Sequence, residues 1–285
     1  MVYKTKFYSF LFLIGIIFFS CSKEKFEAKV PAYISIPSIS LTTDYNTEGS
    51  ASSKITDAWV YINDDLVGVY ELPAKFPLLK EGNVSVKVFA GIRDNGISAS
   101  RVRYLMYDPH IENVNLIVGD TAEITASVAY NSAVNFVWLE DFEGASISFD
   151  RVADSDTAIF KQSVVLKEGL SSGQVFLNDG MNFFEATSDP FNSNLLIGNT
   201  YLELDFKTNE NVIIGVYLDD EQFAHITLNP TEDWKKIYLN LKDVINSKTN
   251  TSLIKIFIGL KEGSGITFNT SNPQVYIDNI KLVHS

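Results

Sequence analysis

Apolar residues recur at every second position along much of this chain. Residues 84–89 read Val-Ser-Val-Lys-Val-Phe, and residues 201–206 read Tyr-Leu-Glu-Leu-Asp-Phe. Because successive side chains of a strand point to opposite faces, a period of two predicts strands that bury one face. Asparagine, aspartate, glycine and serine punctuate these segments, as they do in short strands joined by tight turns. The pattern therefore predicts an all-β fold.

Residues 31–130 are predicted to form a first domain of about seven strands. Ala58–Ile62 and Leu66–Tyr70 flank a cluster of Asn63, Asp64 and Asp65, which predicts a β-hairpin. Two prolines follow at positions 73 and 77 and predict that the next segment leaves this sheet. Short strands at this spacing indicate an immunoglobulin-like β-sandwich.

Residues 135–285 are predicted to form a second β-sandwich after a short junction at 131–133. One short helix is expected at 241–247. The predicted strands cover residues 136–140, 146–151, 201–206, 212–218, 222–228, 234–241, 252–260 and 274–283.

The N-terminus has the pattern of a secretory signal. Lys4 and Lys6 precede an apolar run over residues 7–19, which is shorter than the roughly 20 residues of a membrane-spanning helix. Ser20 and Cys21 follow, and Cys21 is the only cysteine in the chain. This arrangement resembles a bacterial lipoprotein signal. The resemblance implies a signal peptide at 1–20, acylation of Cys21 and a lipidated tether at 21–30. The alternative is an ordinary signal peptide with an incidental cysteine.

The charged residues after Cys21 bear on the location of the protein. Residues 22–25 read Ser-Lys-Glu-Lys and resemble the surface-export signal of Bacteroidetes lipoproteins. The resemblance implies an outer-membrane protein, lipid-anchored and exposed at the cell surface, and the periplasmic face is the alternative. Without residues 1–20 the chain has 21 basic and 35 acidic residues, a net charge of −14. Such a surface repels nucleic acid and anionic lipid, so the lipid must supply the anchor.

Part of the first domain resembles a known surface module. Residues 60–88 are similar to the PEGA-type repeat, with Leu79-Lys80-Glu81-Gly82 leading into the valines at 84, 86 and 88. Residues 55–82 also resemble a widespread type of Flavobacteria lipoprotein. These resemblances imply a binding or scaffold role without catalysis. The alternative is a well-formed hairpin in an immunoglobulin-like sandwich.

The second domain resembles the β-jelly-roll of carbohydrate-binding modules and galactose-binding-like domains. The ordered segments WLEDFEG (138–144), YLELDFKTN (201–209), DWKKIYLNL (233–241) and VYIDNIKLV (275–283) carry this resemblance. It implies a structural calcium where the first and last strands meet, with Glu143 and Asp278 as ligands and Asp141 nearby, because calcium prefers oxygen ligands. The alternative is that these acids cap strand ends in solvent.

The same resemblance implies a sugar-binding face with aromatic and polar side chains. Alternation points Tyr201 and Glu203 away from the core in one strand, and Phe223 and His225 in another. If the strands are neighbours, these residues and Tyr217 line one open face. The alternative is that the other domain or a partner covers this face.

The sequence contains no recognisable catalytic motif. Its three histidines are scattered, and neither a G-x-S-x-G nor an H-x-x-x-H spacing occurs. The acid pairs Glu140-Asp141 and Asp219-Asp220 could in principle hydrolyse glycosides, but acid pairs in turns of an acidic protein are usually solvated. We therefore predict that the protein is not an enzyme.

Two binding roles follow from these features. The short tether favours an accessory or structural subunit, docked on an outer-membrane β-barrel protein or complex of the barrel-assembly or export type. The alternative is a cell-surface protein that binds a glycan through the jelly-roll domain. A shared fold does not by itself decide between them.

Overall fold

The computed structural model describes residues 29–196, 198–262 and 267–285. These ranges form two successive β-sandwiches, which confirms the predicted all-β class. No helix within them is long and apolar enough to cross a membrane. The signal peptide, Cys21 and most of the tether lie outside the described residues, so the predictions made for them stay predictions.

The first sandwich contains ten strands and one single-turn helix. Its elements are β1 (Ala32–Ile36), β2 (Ile39–Thr42), α1 (Tyr45–Glu48), β3 (Asp57–Ile62), β4 (Asp65–Glu71), β5 (Ala74–Leu78), β6 (Gly82–Arg93), β7 (Arg101–Arg103), β8 (His110–Leu116), β9 (Thr121–Glu123) and β10 (Ala126–Ala129).

One layer of the first sandwich is a five-stranded sheet in the order β4-β3-β6-β7, with β8 also paired to β6. The other layer contains the sheets β5-β1-β9 and β10-β2. The hairpin predicted around Asn63 joins β3 to β4, and Asn63 and Asp64 both have positive φ (54° and 68°), as a tight hairpin turn requires. After Pro73 the chain crosses to β5 in the other layer, as predicted. Pro77 lies in that edge strand, where a missing N–H is tolerated.

Among the described residues, the second sandwich contains twelve strands in two sheets. Its elements are β11 (Asn135–Glu140), β12 (Phe149–Arg151), β13 (Phe160–Gln162), β14 (Ser172–Phe176), β15 (Phe183–Ser188), β16 (Phe191–Asn192), a 3₁₀ turn (Ser193–Leu196), β17 (Thr200–Thr208), β18 (Val212–Leu218), β19 (Glu221–Leu228), β20 (Lys235–Asn240), α2 (Lys242–Ile245), β21 (Leu253–Lys261) and β22 (Gln274–His284).

We call the two sheets of this sandwich the interface sheet and the outer sheet. The interface sheet has the order β13-β14-β22-β17-β20, with β11 also paired to β22. The outer sheet has the order β12-β15-β21-β18-β19, with β16 also paired to β21. Between them lies a core of aliphatic and aromatic residues, to which Trp138 and Phe142 belong. The predicted short helix corresponds to α2.

The face of the interface sheet that points away from its own core packs against the first sandwich. Tyr201, Tyr238 and Val283 from this sheet belong to the apolar core cluster of the first sandwich. The ring of Tyr104 lies edge-on to those of Tyr201 and Tyr238, with ring centroids 5.0 Å apart in each pair. The two sandwiches therefore share one continuous block of buried side chains.

Candidate functional site

Tyr201 and Glu203, two of the residues predicted to bind a ligand, lie in the contact between the sandwiches. Glu203 is fully buried, and its Oε1 accepts hydrogen bonds from the hydroxyl groups of Tyr104 (2.6 Å) and Tyr130 (2.9 Å). Tyr201 is 8% exposed. The prediction of an open face was therefore wrong for these two residues. The other domain covers them, which was the stated alternative.

The predicted face was also divided between two sheets. Tyr201 and Glu203 are in β17 of the interface sheet, whereas Tyr217, Phe223 and His225 are in β18 and β19 of the outer sheet. Strict alternation gave no indication of this division, because it orients side chains relative to a core without saying which strands are neighbours.

A bulge changes the orientation of the residues in β19. The register between β18 and β19 shifts after Ile214, so that Gly215 pairs with Ala224. Phe223 then packs against the core of the second sandwich, and Ala224 is exposed, the reverse of the prediction. His225 instead meets the first sandwich, with its Nε2 3.2 Å from Asn95 Oδ1. Burial lowers the pKa of His225, although the charge of nearby Asp94 opposes the shift.

Several buried charges surround Glu203 at the interface. Lys236 Nζ lies 3.7 Å from Glu203 Oε2 and 3.9 Å from Asp205 Oδ2. Lys281 Nζ donates to the backbone carbonyl of Ser50 at 2.6 Å and lies 4.9 Å from the ring centroid of Tyr130. Burial lowers the pKa of Lys281 to about 8, against the opposing charge of Glu203. Glu203 and Lys281 join the two sandwiches through these contacts, and both side chains are fully buried.

Glu143 and Asp278, the residues predicted to hold calcium, lie in different surroundings. Glu143 Oε1 accepts the backbone N–H groups of Leu170 (2.8 Å) and Ser171 (2.9 Å), which is a loop-fixing role. Asp278 is buried beside Asp205, and burial raises its pKa to about 8. Within residues 29–196, 198–262 and 267–285, no group of three or more histidine, cysteine, aspartate and glutamate residues could hold a metal ion. The structural calcium stays a prediction.

Three of the four carboxylates considered for catalysis have structural partners. Glu140 accepts from the backbone N–H of Phe142 (2.8 Å) and from the hydroxyl group of Ser148 (2.6 Å). Asp219 has positive φ and accepts the N–H of Leu253 at 3.0 Å. Asp141 accepts the hydroxyl group of Tyr45 at 2.8 Å. These three carboxylates fix loops.

The remaining predicted residue, Tyr217, lies in a groove on the exposed face of the outer sheet. The groove has a volume of about 320 Å³ and is formed by β15, β21, β18 and β19 together with the loop after β12. Its floor contains Gly259 and the ring of Phe257, and its walls include Phe183 and Tyr217.

A hydrogen-bonded triad, Glu185, Tyr217 and Gln222, crosses the groove. The hydroxyl group of Tyr217 donates to Glu185 Oε1 at 2.5 Å, and the side-chain amide of Gln222 donates to Glu185 Oε2 at 2.6 Å. Glu185 is 6% exposed, whereas Gln222 is exposed and Tyr217 half-buried. Burial and the hydrogen bond to Glu185 raise the pKa of Tyr217. The triad thus holds an aromatic ring and an amide in fixed positions on an accessible surface.

Two charged side chains lie at the rim of the groove. Lys261 Nζ lies 5.6 Å from the ring centroid of Phe183, and Asp154 is exposed on the loop after β12. The groove therefore offers hydrogen-bond donors and acceptors around an aromatic floor. Sequence reasoning missed Glu185, because residues 183–188 (FFEATS) contain only one apolar side chain, Ala186, after Phe184 and were not predicted as a strand.

Comparisons with known proteins find likeness in structure only. No protein-family model and no curated protein matches the sequence. A solved carbohydrate-binding module of the β-sandwich superfamily has a TM-score of 0.36 and 13% identity, over 80% of this chain and 85% of that chain. The family 22 module of Clostridium thermocellum Xyn10B has a TM-score of 0.37 and 12% identity, over 53% of this chain and 96% of that chain. TmCBM61, solved with β-1,4-galactotriose, has a TM-score of 0.33 and 14% identity, over 50% and 89%.

Proposed function

We propose that this protein is a non-catalytic, lipid-anchored glycan-binding protein of the outer membrane, exposed at the cell surface. The groove on the outer sheet carries the proposal, since it combines a fixed aromatic wall with oriented polar groups. Glycan binding was the alternative in the sequence analysis, and it now ranks above the docked subunit.

The chemistry of the groove suits a sugar ring. Tyr217 presents an aromatic ring that can lie against the apolar C–H face of a pyranose, and its position is fixed by Glu185. Gln222 uses one amide hydrogen for Glu185, so its carbonyl oxygen and second hydrogen remain for ligand hydroxyl groups. Because Glu185 holds both side chains before a ligand arrives, little side-chain entropy is lost on binding.

The first sandwich supports the proposed attachment to a membrane. Val30, Leu79, Ile117 and Val118 are each at least 45% exposed. They lie at one end of the sandwich, because the N–H of Gly119 bonds to the carbonyl of Pro31 and Ala32 pairs with Leu78. The described chain enters at this same end. An acylated Cys21 would therefore bring an apolar surface against the lipid, which stabilises attachment beyond the acyl chains.

A glycan array tests the proposed function. The mature chain without Cys21, residues 22–285, should bind at least one neutral glycan, and Tyr217→Ala and Gln222→Ala should each weaken that binding about tenfold, or about 1.4 kcal/mol. Tyr33→Ala is a matched control, because Tyr33 is a half-buried tyrosine of the first sandwich. An equal loss of glycan affinity in the control, or unchanged affinity in both groove variants, would show that the groove is not the glycan-binding site.

A docked subunit is the second candidate, favoured by the same exposed apolar end near the tether. In that role the end would contact an outer-membrane β-barrel protein. Purification of the native protein in mild detergent should then recover a barrel in stoichiometric amount. Leu79→Asp combined with Ile117→Asp should release it, whereas glycan binding by the groove should be unaffected by these changes.

A further inference from the structure

A second and larger cleft lies between the two sandwiches, away from the groove. It has a volume of about 710 Å³, within the range of sites for small ligands. The first sandwich contributes residues 52–56 and the turn after β6, and the second contributes β20 and the end of β19. The cleft exists only because the sandwiches are docked, so neither half of the sequence indicates it alone.

The cleft is basic within a strongly acidic protein. Five cations and two carboxylates line it, although the whole chain has a net charge of −12. Lys236 is paired with Glu203 and Asp205, and Arg93 is bonded to Glu71. The other three cations are exposed and form no ion pair within the described residues; these are Lys54, Lys167 and Lys235. A concentration of unpaired positive charge in a cleft attracts an anionic ligand.

Other groups in the cleft need a ligand that also donates hydrogen bonds. Asp205 is fully buried and lines the cleft, yet its Oδ1 has no hydrogen-bond partner among the described residues. A free acceptor calls for a ligand hydroxyl or amide, because an unsatisfied buried oxygen is costly. Trp234 is half-buried at the wall and offers part of its ring. Uncharged polar side chains also line the cleft, among them Ser52, Ser53, Thr56, Asn95, Ser98 and Thr231.

We propose that this cleft is a second binding site, for an anionic oligosaccharide that carries carboxylate or sulfate groups. The lysines pair with the acidic groups of the ligand. Asp205 accepts hydrogen bonds from the sugar hydroxyl groups, and the hydroxyl side chains both donate to them and accept from them. Inorganic phosphate and an acidic peptide satisfy the lysines, but neither combines many hydroxyl groups with a ring that can lie against Trp234. The site stands independently of the groove on the outer sheet.

Fluorescence titration of the mature chain provides the test. A sulfated heparin tetrasaccharide and tetragalacturonate are the anionic probes, and cellotetraose is the neutral probe. At least one anionic probe should change the tryptophan emission, and the change should disappear in Trp234→Phe. Binding should weaken as the salt concentration rises, because exposed charges are screened. The combined replacement Lys54→Gln, Lys167→Gln and Lys235→Gln should weaken binding at least tenfold, measured by calorimetry.

The control makes the same charge change elsewhere. Lys29→Gln, Lys80→Gln and Lys242→Gln replace three exposed lysines outside the cleft lining and should leave the affinity within twofold of the unchanged protein. No binding of either anionic probe, equal weakening in both triple variants, or equally tight binding of poly-L-glutamate would overturn the proposal. Tyr217→Ala should leave this binding intact, so failure of the groove and failure of the cleft are separate results.

Discussion

Asp278 is a carboxyl group whose charged form the fold disfavours. It is 1% exposed, pairs across the strands with Asp205, and leaves its Oδ2 without a hydrogen-bond partner among the described residues. Burial is the main cause of its raised pKa, about 8, and the negative charges of Asp205 and Glu168 add to it. The backbone N–H groups of Asn279 and Glu168 act in the opposite direction.

This pKa predicts the pH dependence of stability. Because the folded pKa of Asp278 lies above the unfolded value, the folded protein holds more protons between about pH 4 and pH 8. The contribution of Asp278 to stability is therefore complete below about pH 4 and is lost as the pH rises to 8. In Asp278→Asn this loss should disappear, which makes the variant more stable at pH 8 by up to a few kcal/mol, since one pKa unit is about 1.4 kcal/mol.

Urea denaturation at pH 4, 6 and 8 measures the difference. Asp233→Asn is the control, because Asp233 is exposed. Parallel pH profiles for the unchanged protein and Asp278→Asn would show that Asp278 does not titrate in this window.

Glu203 is the common acceptor of the interface, so its removal should be costly. Glu203→Ala leaves the hydroxyl groups of Tyr104 and Tyr130 without their acceptor and leaves Lys236 with only Asp205. Removing one partner of a buried ion pair typically costs about 3–5 kcal/mol of unfolding free energy. Glu203→Gln keeps an acceptor oxygen and should cost less. Chemical denaturation checks both, with the exposed Glu232→Ala expected within about 0.5 kcal/mol of the unchanged protein.

At the scale of elements, the bulge between β18 and β19 shapes the groove. It brings the carbonyl of Phe223 against Gly215, while the ring of Phe257 covers the same glycine on the groove side. A methyl group at 215 would collide with both. Gly259, on the neighbouring strand β21, can accommodate a methyl group, since a Cβ atom there would lie 3.4 Å or more from the surrounding atoms.

Gly215→Ala should therefore destabilise the protein by about 1–3 kcal/mol through overpacking, and it should also weaken glycan binding by moving Phe257. Gly259→Ala should change stability by less than half as much. Thermal unfolding of the two variants, side by side, checks the contrast. Similar losses in both would mean that the bulge relaxes around an extra methyl group.

The strands were predictable where a clean period of two occurred, as at residues 84–89 and 201–206. β13 to β16 were not predicted, because β13, β14 and β16 are short or rich in polar residues, and β15 carries Glu185 and Thr187 on the face that points away from the core. The reversed orientation of Phe223 could not be predicted either. A bulge adds one residue to a strand without leaving a mark in the hydrophobic pattern.

At the scale of the whole molecule, the shared tyrosine block predicts cooperative unfolding. Tyr104 contacts both Tyr201 and Tyr238, and Glu203 and Lys281 lose their partners when the sandwiches separate. Calorimetry of the mature chain should show one transition. Tyr104→Ala, which opens a cavity in the block, should lower the transition temperature and split it into two. Two transitions in the unchanged protein would contradict this coupling.

The contact between sandwiches explains why the sequence alone misplaced the candidate site. Alternation correctly pointed Tyr201 and Glu203 away from the core of their own sandwich, yet it cannot distinguish solvent from a second domain. The buried charges Glu203, Lys236 and Lys281 look like surface residues in the sequence, because charged side chains are rarely buried without partners. Only the docked arrangement supplies those partners.

The position of β22 has a consequence for the order in which the second sandwich forms. This strand, residues 274–284, lies in the middle of the interface sheet, bonded to β14, β17 and β11, and its Val283 enters the core of the first sandwich. It follows all the other strands of its sheet along the chain. The second sandwich therefore cannot close before residues 274–284 have been synthesised, and β11, β14 and β17 stay without their shared neighbour until then.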